Sequence, residues 1–243
     1  MQLLSRVEQL SKDKGLLLNT KKTKIMVIDK NRVDHTPFTL DGRPIEEVHS
    51  INYLGSTVYR EGKCFEEIKR RVILGRATAQ NLDPILRSRD INKRLKICLV
   101  RGTAFAVASY GSESWTFSNK VNKKIDAFEM WCYRRILGVS WRERRTNNWV
   151  LRQLNTKLQL RQQMVKRKMR LFGHLSRHPS LQKTIIQGKV EGRRSRGRPP
   201  RAWSKDIEDW TGQRLAGASR AAQDRSRWRR VMLTTAANLW PPD

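Results

Sequence analysis

Any folded form of this chain must accommodate a large surplus of positive charge. Across 243 residues, 51 lysines and arginines face only 22 aspartates and glutamates, a formal net charge of +29. Like charges held in one compact body repel one another and weaken a fold that has no polyanion to offset them. The surplus is localised: residues 1–60 hold 10 basic and 7 acidic groups, whereas residues 61–243 hold 41 and 15. The first stretch therefore reads as an ordinary piece of a domain, and the surface that needs an anionic partner lies beyond it. RNA and/or DNA fits such a surface better than a membrane does. No window approaches the roughly 18 apolar residues of a membrane span. Met1 to Lys14 mixes Arg6, Glu8, Lys12, Asp13 and Lys14 with leucines, unlike a signal or transit peptide. Cys64, Cys98 and Cys132 are odd in number and widely spaced, which fits reduced thiols rather than a disulfide framework. An intracellular protein of the nucleus and/or cytoplasm is expected, with no small-molecule ligand.

The apolar pattern changes along the chain. Leu3, Val7 and Leu10 have helical spacing, and Gly15 is a natural stop. Lys24 to Ile28 reads as a short strand, and Ile51 to Gly55 as another. Phe38 to Leu40 and Arg43 to Ile45 flank an Asp41-Gly42 turn and read as a hairpin. After Glu61 the texture is helical. Phe65, Ile68, Val72, Ala79 and Leu82 form one stripe before Asp83-Pro84. Leu95, Cys98, Leu99, Gly102, Phe105 and Ala106 form a second, closing at Tyr110-Gly111. Val121, Ile125, Phe128, Cys132 and Ile136 form a third, stopped by Gly138. Thr146 is placed to cap a short helix, and Thr156 a long one running to His178, where Pro179 ends it. Gly188 to Arg201 (GKVEGRRSRGRPPR) has no apolar periodicity and reads as an extended linker or arm. Ser204 is placed to cap a short helix, and Ala218 to Leu239 reads as one last basic helix. The expectation is a mainly α protein with a small β remnant at residues 22–56.

Several short motifs occur in a telling order. Gly15-Leu-Leu-Leu-Asn19-Thr-Lys-Lys22-Thr23-Lys24 resembles a motif near the end of the palm domain of reverse transcriptases, above all those of non-LTR (LINE-type) retrotransposons. Tyr53-Leu54-Gly55 resembles the hairpin that leads from palm to thumb in that family. The likeness continues through Tyr110-Gly111-Ser-Glu113-Ser-Trp115, Arg134-Arg135-Ile136-Leu137-Gly138 and Gly173-His174-Leu-Ser-Arg177. It ends with Gly197-Arg198-Pro199 plus Trp203, and Asp224-Arg225 with Trp228-Arg229. This resemblance implies an incomplete palm over residues 1–60 and a thumb-like helical region over 61–118. A basic helical region over 119–187, a basic Gly/Pro/Arg linker over 188–202 and C-terminal helices over 203–243 would follow.

The family's catalytic aspartates belong to a Tyr-x-Asp-Asp type of motif and would lie upstream of Met1; no Asp-Asp pair occurs in this chain. Nucleotide transfer needs clustered carboxylates to hold two magnesium ions. The resemblance therefore implies Mg²⁺ for the parent family and no cofactor or catalytic residue for this chain alone. The expected role is a reverse-transcriptase fragment that binds template and primer without copying them. Two alternatives stay open: the C-terminal half of an RNA-directed DNA polymerase completed by an upstream polymerase segment, and a DNA-binding protein using an AT-hook-like arm.

The candidate contacts follow from charge and resemblance. Lys22 matches the palm lysine near the departing pyrophosphate, although a solvated lysine in a basic turn is the plainer reading. Residues 134–170 hold a run of cations, with Arg134, Arg135, Arg142, Arg144, Arg145, Arg161 and Lys168 as candidate phosphate contacts; Arg161 and Lys168 fall near one helix face. Arg196-Gly197-Arg198-Pro199 is similar to an AT-hook core, with Arg193, Arg194 and Arg201 flanking it to hold phosphates. Trp115, Trp141 and Trp149 sit near loops and could stack unpaired bases, though packing is the simpler role. Trp131, Trp203, Trp210 and Trp228 are read as core.

Overall fold

The structure, a computed structural model, describes residues 2–28, 37–40, 42–188 and 201–238. Its residues divide into two compact units, Met1–Glu67 and Ile68–Asp243. The described chain is mainly helical, with small two-stranded sheets.

The first unit opens with helix α1 (Gln2–Asp13). Asn19 then fixes a turn, its Oδ1 accepting from the Lys21 and Lys22 amides at 3.0 and 3.1 Å. Strand β1 (Lys24–Ile25) pairs in parallel with β4 (Glu46–Glu47), and β2 (Thr39–Leu40) pairs antiparallel with β3 (Arg43–Pro44). The expected hairpin forms, although Asp41 lies outside the described residues. Strands β5 (Ser50–Tyr53) and β6 (Ser56–Tyr59) make a second hairpin turned by Leu54 and Gly55, both at positive φ. Tyr53-Leu54-Gly55 is thus a turn with its approach, rather than the end of a strand. Among the described residues of this unit, Leu40 and Ile45 are the buried apolar ones.

Helix α2 (Phe65–Asn81) follows, with Ile68, Val72 and Ala79 buried as its stripe predicts. Beyond it lie α3 (Asp83–Arg87), α4 (Lys93–Gly102) and α5 (Ala104–Ala108). The second stripe breaks at Thr103 instead of running unbroken, and α4 buries Lys96, Ile97 and Val100 while Leu95 and Cys98 face solvent. Helix α6 (Asn119–Leu137) is the long element the third stripe predicts. Ser118 caps its start, and Gly138 ends it at φ 67°. Phe105 and Phe128 pack with centroids 5.9 Å apart, joining α5 to α6.

Thr146 caps α7 (Asn147–Gln153), its hydroxyl accepting from the Trp149 amide at 3.2 Å. Helix α8 (Leu160–Arg177) starts later than expected: Thr156 does not cap it, and its Oγ1 accepts from Arg101 instead. After α9 (Leu181–Gln187) and α10 (Lys205–Thr211), the last stretch is two helices, not one. Helix α11 (Leu215–Ala221) stops, and Asp224 accepts from the Ser226 and Arg227 amides to begin α12 (Arg225–Asn238). Helices α8, α10, α11 and α12 share a core of Val165, Met169, Phe172, Ile207, Ala218, Ala221, Ala222 and Trp228. Burial of this many apolar groups is the main force closing this part of the fold.

Candidate nucleic-acid interface

Buried acids organise the helices that carry the basic residues. Asp206, at the start of α10, is fully enclosed. Its Oδ2 accepts from Lys168 Nζ at 2.5 Å and from the Phe117 amide at 2.8 Å; its Oδ1 accepts from Arg201 Nε at 2.9 Å. Lys168 Nζ also donates to the Trp115 carbonyl at 2.7 Å. Its ammonium lies 4.5 Å from the Trp203 ring centre, with the Phe117 and Trp210 rings 5.7 and 5.6 Å away. Lys168 therefore leaves the set of phosphate contacts. A lysine with no exposure cannot reach a phosphate without abandoning a buried carboxylate, and that exchange is strongly unfavourable. Arg201 is also committed, since it pairs with Asp209 at 2.5 Å as well as with Asp206.

Glu129 of α6 plays the same part at the other end of α8. Its Oε1 accepts from the Gln159 amide at 2.8 Å and from the Tyr133 hydroxyl at 2.7 Å, and its Oε2 accepts from the Leu160 amide at 2.9 Å. A carboxylate here satisfies amides that a helix start leaves open and meets the positive end of its dipole. Burial still pushes the Glu129 carboxyl above its ordinary range, with the three donors pulling the other way. Asp126, one turn earlier, is raised by the same cause and drawn down by Arg161, whose Nε lies 3.5 Å away. Arg161 is half-buried in that pair and faces inward rather than along an outer stripe.

The arginines at the end of α6 hold the following loop. Arg134 donates to the Arg145 carbonyl at 3.0 Å and to Asn147 Oδ1 at 2.9 Å. Arg135 forms a two-pronged bond to Asp83 and lies over Trp131, 4.9 Å from the ring centre. Around these ties the loop presents Arg142, Arg144 and Arg145, all exposed. Arg144 sits at φ 48°, and the Arg145 guanidinium lies 4.8 Å from the Trp149 ring. Two grooves of about 550 and 540 Å³ meet at Arg134. The first is lined by Arg87, Trp131, Arg135 and residues 138–140; the second includes Lys123, Asn147, Asn148 and Asp126. The charged residues lining the first groove are all cations, which concentrates the field between its walls and suits a phosphate chain, whereas Asp126 breaks that pattern in the second.

The structure thus brings Arg134, Arg135, Arg142, Arg144 and Arg145 together, ties Arg161 to Asp126 on the wall of the second groove, and seals Lys168 away from solvent. Lys22 is exposed in the first unit. Arg193, Arg194, Arg196 and Arg198 lie outside the described residues, as does the side chain of Trp141. Trp115 is 2 % exposed and belongs to the core, so it offers no face to a base. Trp131, expected in the core, is half-buried at the groove. Sequence reading missed Arg87 and Lys123, which stand outside the basic run and come near it only through folding.

Among the described residues no group of three or more His, Cys, Asp or Glu side chains could hold a metal ion. The carboxylates of Asp206, Glu208 and Asp209 instead face Lys168, Arg201 and Lys205. Nor is any described helix long and apolar enough to cross a membrane.

No protein-family model matches the chain, and no solved structure matches it. A Caenorhabditis elegans protein named as transposon-derived and otherwise uncharacterized is 24% identical over 255 aligned positions, covering 97% of this chain and 89% of the relative. The similarity to a transposon-derived protein thus extends over nearly the whole chain.

Proposed function

We propose that this chain is a nucleic-acid-gripping module derived from the thumb and tail of a non-LTR retrotransposon reverse transcriptase, binding template or primer without copying it. The observation that carries this reading is the cluster at the end of α6. Arg142, Arg144 and Arg145 stand exposed on a loop that Arg134 pins to the helix, beside a groove lined by further cations. Such a surface holds phosphates by releasing counterions and needs no base reading. The related transposon-derived protein supports the lineage. The absence of an Asp-Asp pair supports the lack of polymerisation.

The test is the binding of purified chain to labelled RNA and DNA across a salt series. Six to ten phosphate contacts would give a loss of about 10³–10⁵ in affinity between roughly 50 and 200 mM salt. Changing Arg142, Arg144 and Arg145 to alanine should weaken binding and reduce the salt slope by about 2–3. Primer extension with magnesium and nucleotides should yield no product. Binding that ignores salt, or a chain that binds neither polymer in dilute buffer, would overturn the reading.

A further inference from the structure

Helix α12 carries a second set of cations, remote in sequence from the α6 cluster. Arg225, Arg227, Arg229 and Arg230 are all exposed, and among the described residues none makes a hydrogen bond or ion pair through its side chain. The helix has no acid in its first turn. The nearby carboxylate, Asp224, accepts from the Arg227 and Ser226 amides; those two bonds lead in drawing its pKa down, with a smaller pull from the Arg230 and Arg227 charges, so one carboxylate faces four arginines. The helix end is therefore already capped, and its amides are not the attraction.

Four arginines in the opening turns of a helix are placed where the macrodipole opposes them. They also repel one another at helical spacing. Trp228 anchors the helix inward, so the flanks are free to be chosen for something other than packing. On one flank Arg227 and Arg230 line a groove of about 430 Å³ with Trp210, Gln213 and Thr234. Arg225 and Arg229, four residues apart, form the other flank.

We infer that this groove and the arginines beside it are a second binding site for the phosphate backbone of nucleic acid, extending the contact beyond the α6 cluster. A polyanion there would relieve both the mutual repulsion and the unfavourable dipole, which among the described residues only the single exposed carboxylate of Asp224 offsets. Arginine suits the role because its planar fork grips phosphate in two-pronged fashion. Gln213 and Thr234 add neutral donors at the groove wall. The inference rests on the proposed nucleic-acid reading and adds a separate site to it.

The experiment compares the full-length chain with its R227Q/R230Q and R225Q/R227Q/R229Q/R230Q variants on long and short labelled single strands, over a salt series. On the long strand the double variant should lower the salt slope by about 1.5 and the quadruple variant by about 3, at about 0.7 per contact. The loss on a strand too short to span both surfaces should be smaller. The free quadruple variant should melt no lower than the parent chain, because the arginines oppose their own helix. Unchanged slopes, with the parent chain binding normally, would sink this inference and leave the α6 reading intact. A fall in affinity and melting temperature together would make the arginines structural and also sink it. Vesicles rich in phosphatidylserine that outcompete the strands through these residues would assign the site to a membrane surface instead. A parent chain that binds no nucleic acid would overturn both readings.

Discussion

Lys168 and Asp206 meet without any exposure to solvent, Nζ to Oδ2 at 2.5 Å, although 37 residues separate them in the chain. This pair fastens α10 to α8, while the Phe117 amide and Arg201 complete the bonding of the carboxylate. Removing one partner of a buried pair leaves an uncompensated charge, whereas removing both is often tolerated. Lys168→Met should therefore cost about 3–5 kcal/mol. Lys168→Met with Asp206→Asn should cost clearly less than the sum of the two single changes. Denaturant unfolding of the four proteins in the cycle checks this, and strict additivity would refute it.

Glu129 predicts a pH effect with a definite sign. Its carboxyl is raised in the folded chain because burial outweighs the Gln159, Tyr133 and Leu160 donors. A raised acid binds its proton more tightly when folded, so its contribution is full below the ordinary carboxylate range. That contribution is lost as pH rises through the elevated value. The stability of the parent chain relative to Glu129→Gln should accordingly fall as pH climbs from about 4 towards neutrality. A relative stability that grows with pH over this window would contradict the sign. Glu129→Ala should be worse than either at neutral pH, by about 3 kcal/mol, because it orphans two buried donors and the partly buried Gln159 amide.

The cysteines offer a readout of folding. Cys132 is buried in α6, and its thiol is pushed up to about 12, first by burial and then by the Glu129 charge. Thiolate is the reactive form, so Cys132 should resist alkylation at neutral pH while exposed Cys98 reacts. Mass spectrometry after brief iodoacetamide treatment should find label on Cys98 and none on Cys132 until denaturant unfolds the chain. Early labelling of Cys132 would place α6 outside the core.

Much of the fold was legible because helices announce themselves by period and punctuation. The stripe from Val121 to Ile136 and the stop at Gly138 required only local rules. The cap at Thr146 was equally local. The start of α8 was not, because its amides are capped by Glu129, some 30 residues earlier, and nothing around Thr156 encodes that. Asp224 divided the final helices for a local reason that a basic run concealed, since its side chain competes for the amides of the next turn. The basic residues were hardest to sort. Arg145 and Lys168 look alike in sequence, yet one lies at the surface and the other is sealed among Trp203, Phe117 and Trp210. Charge alone carries no record of which cation will find an acid brought from elsewhere in the chain.

Gly173 shows how a motif residue can serve packing rather than binding. It lies inside α8, where alanine would ordinarily favour the helix by about 1 kcal/mol. Here a Cβ would fall 2.5 Å from both Cδ1 and Nε1 of Trp228. That indole cannot simply retreat, because its Nε1 donates to the Met169 carbonyl at 2.8 Å and its ring packs on Phe172 with centroids 5.4 Å apart. Overpacking a tight contact costs about 1–3 kcal/mol, and loss of a buried hydrogen bond adds a further ~1–3. The clash should therefore outweigh the helical gain, leaving Gly173→Ala less stable by about 1–5 kcal/mol. A smaller ring should relieve it, so adding Trp228→Phe ought to cost less in the alanine background than in the parent chain. Denaturant midpoints for the four proteins measure that coupling, and a Gly173→Ala chain as stable as its parent would show that α12 does not press on α8 at this point.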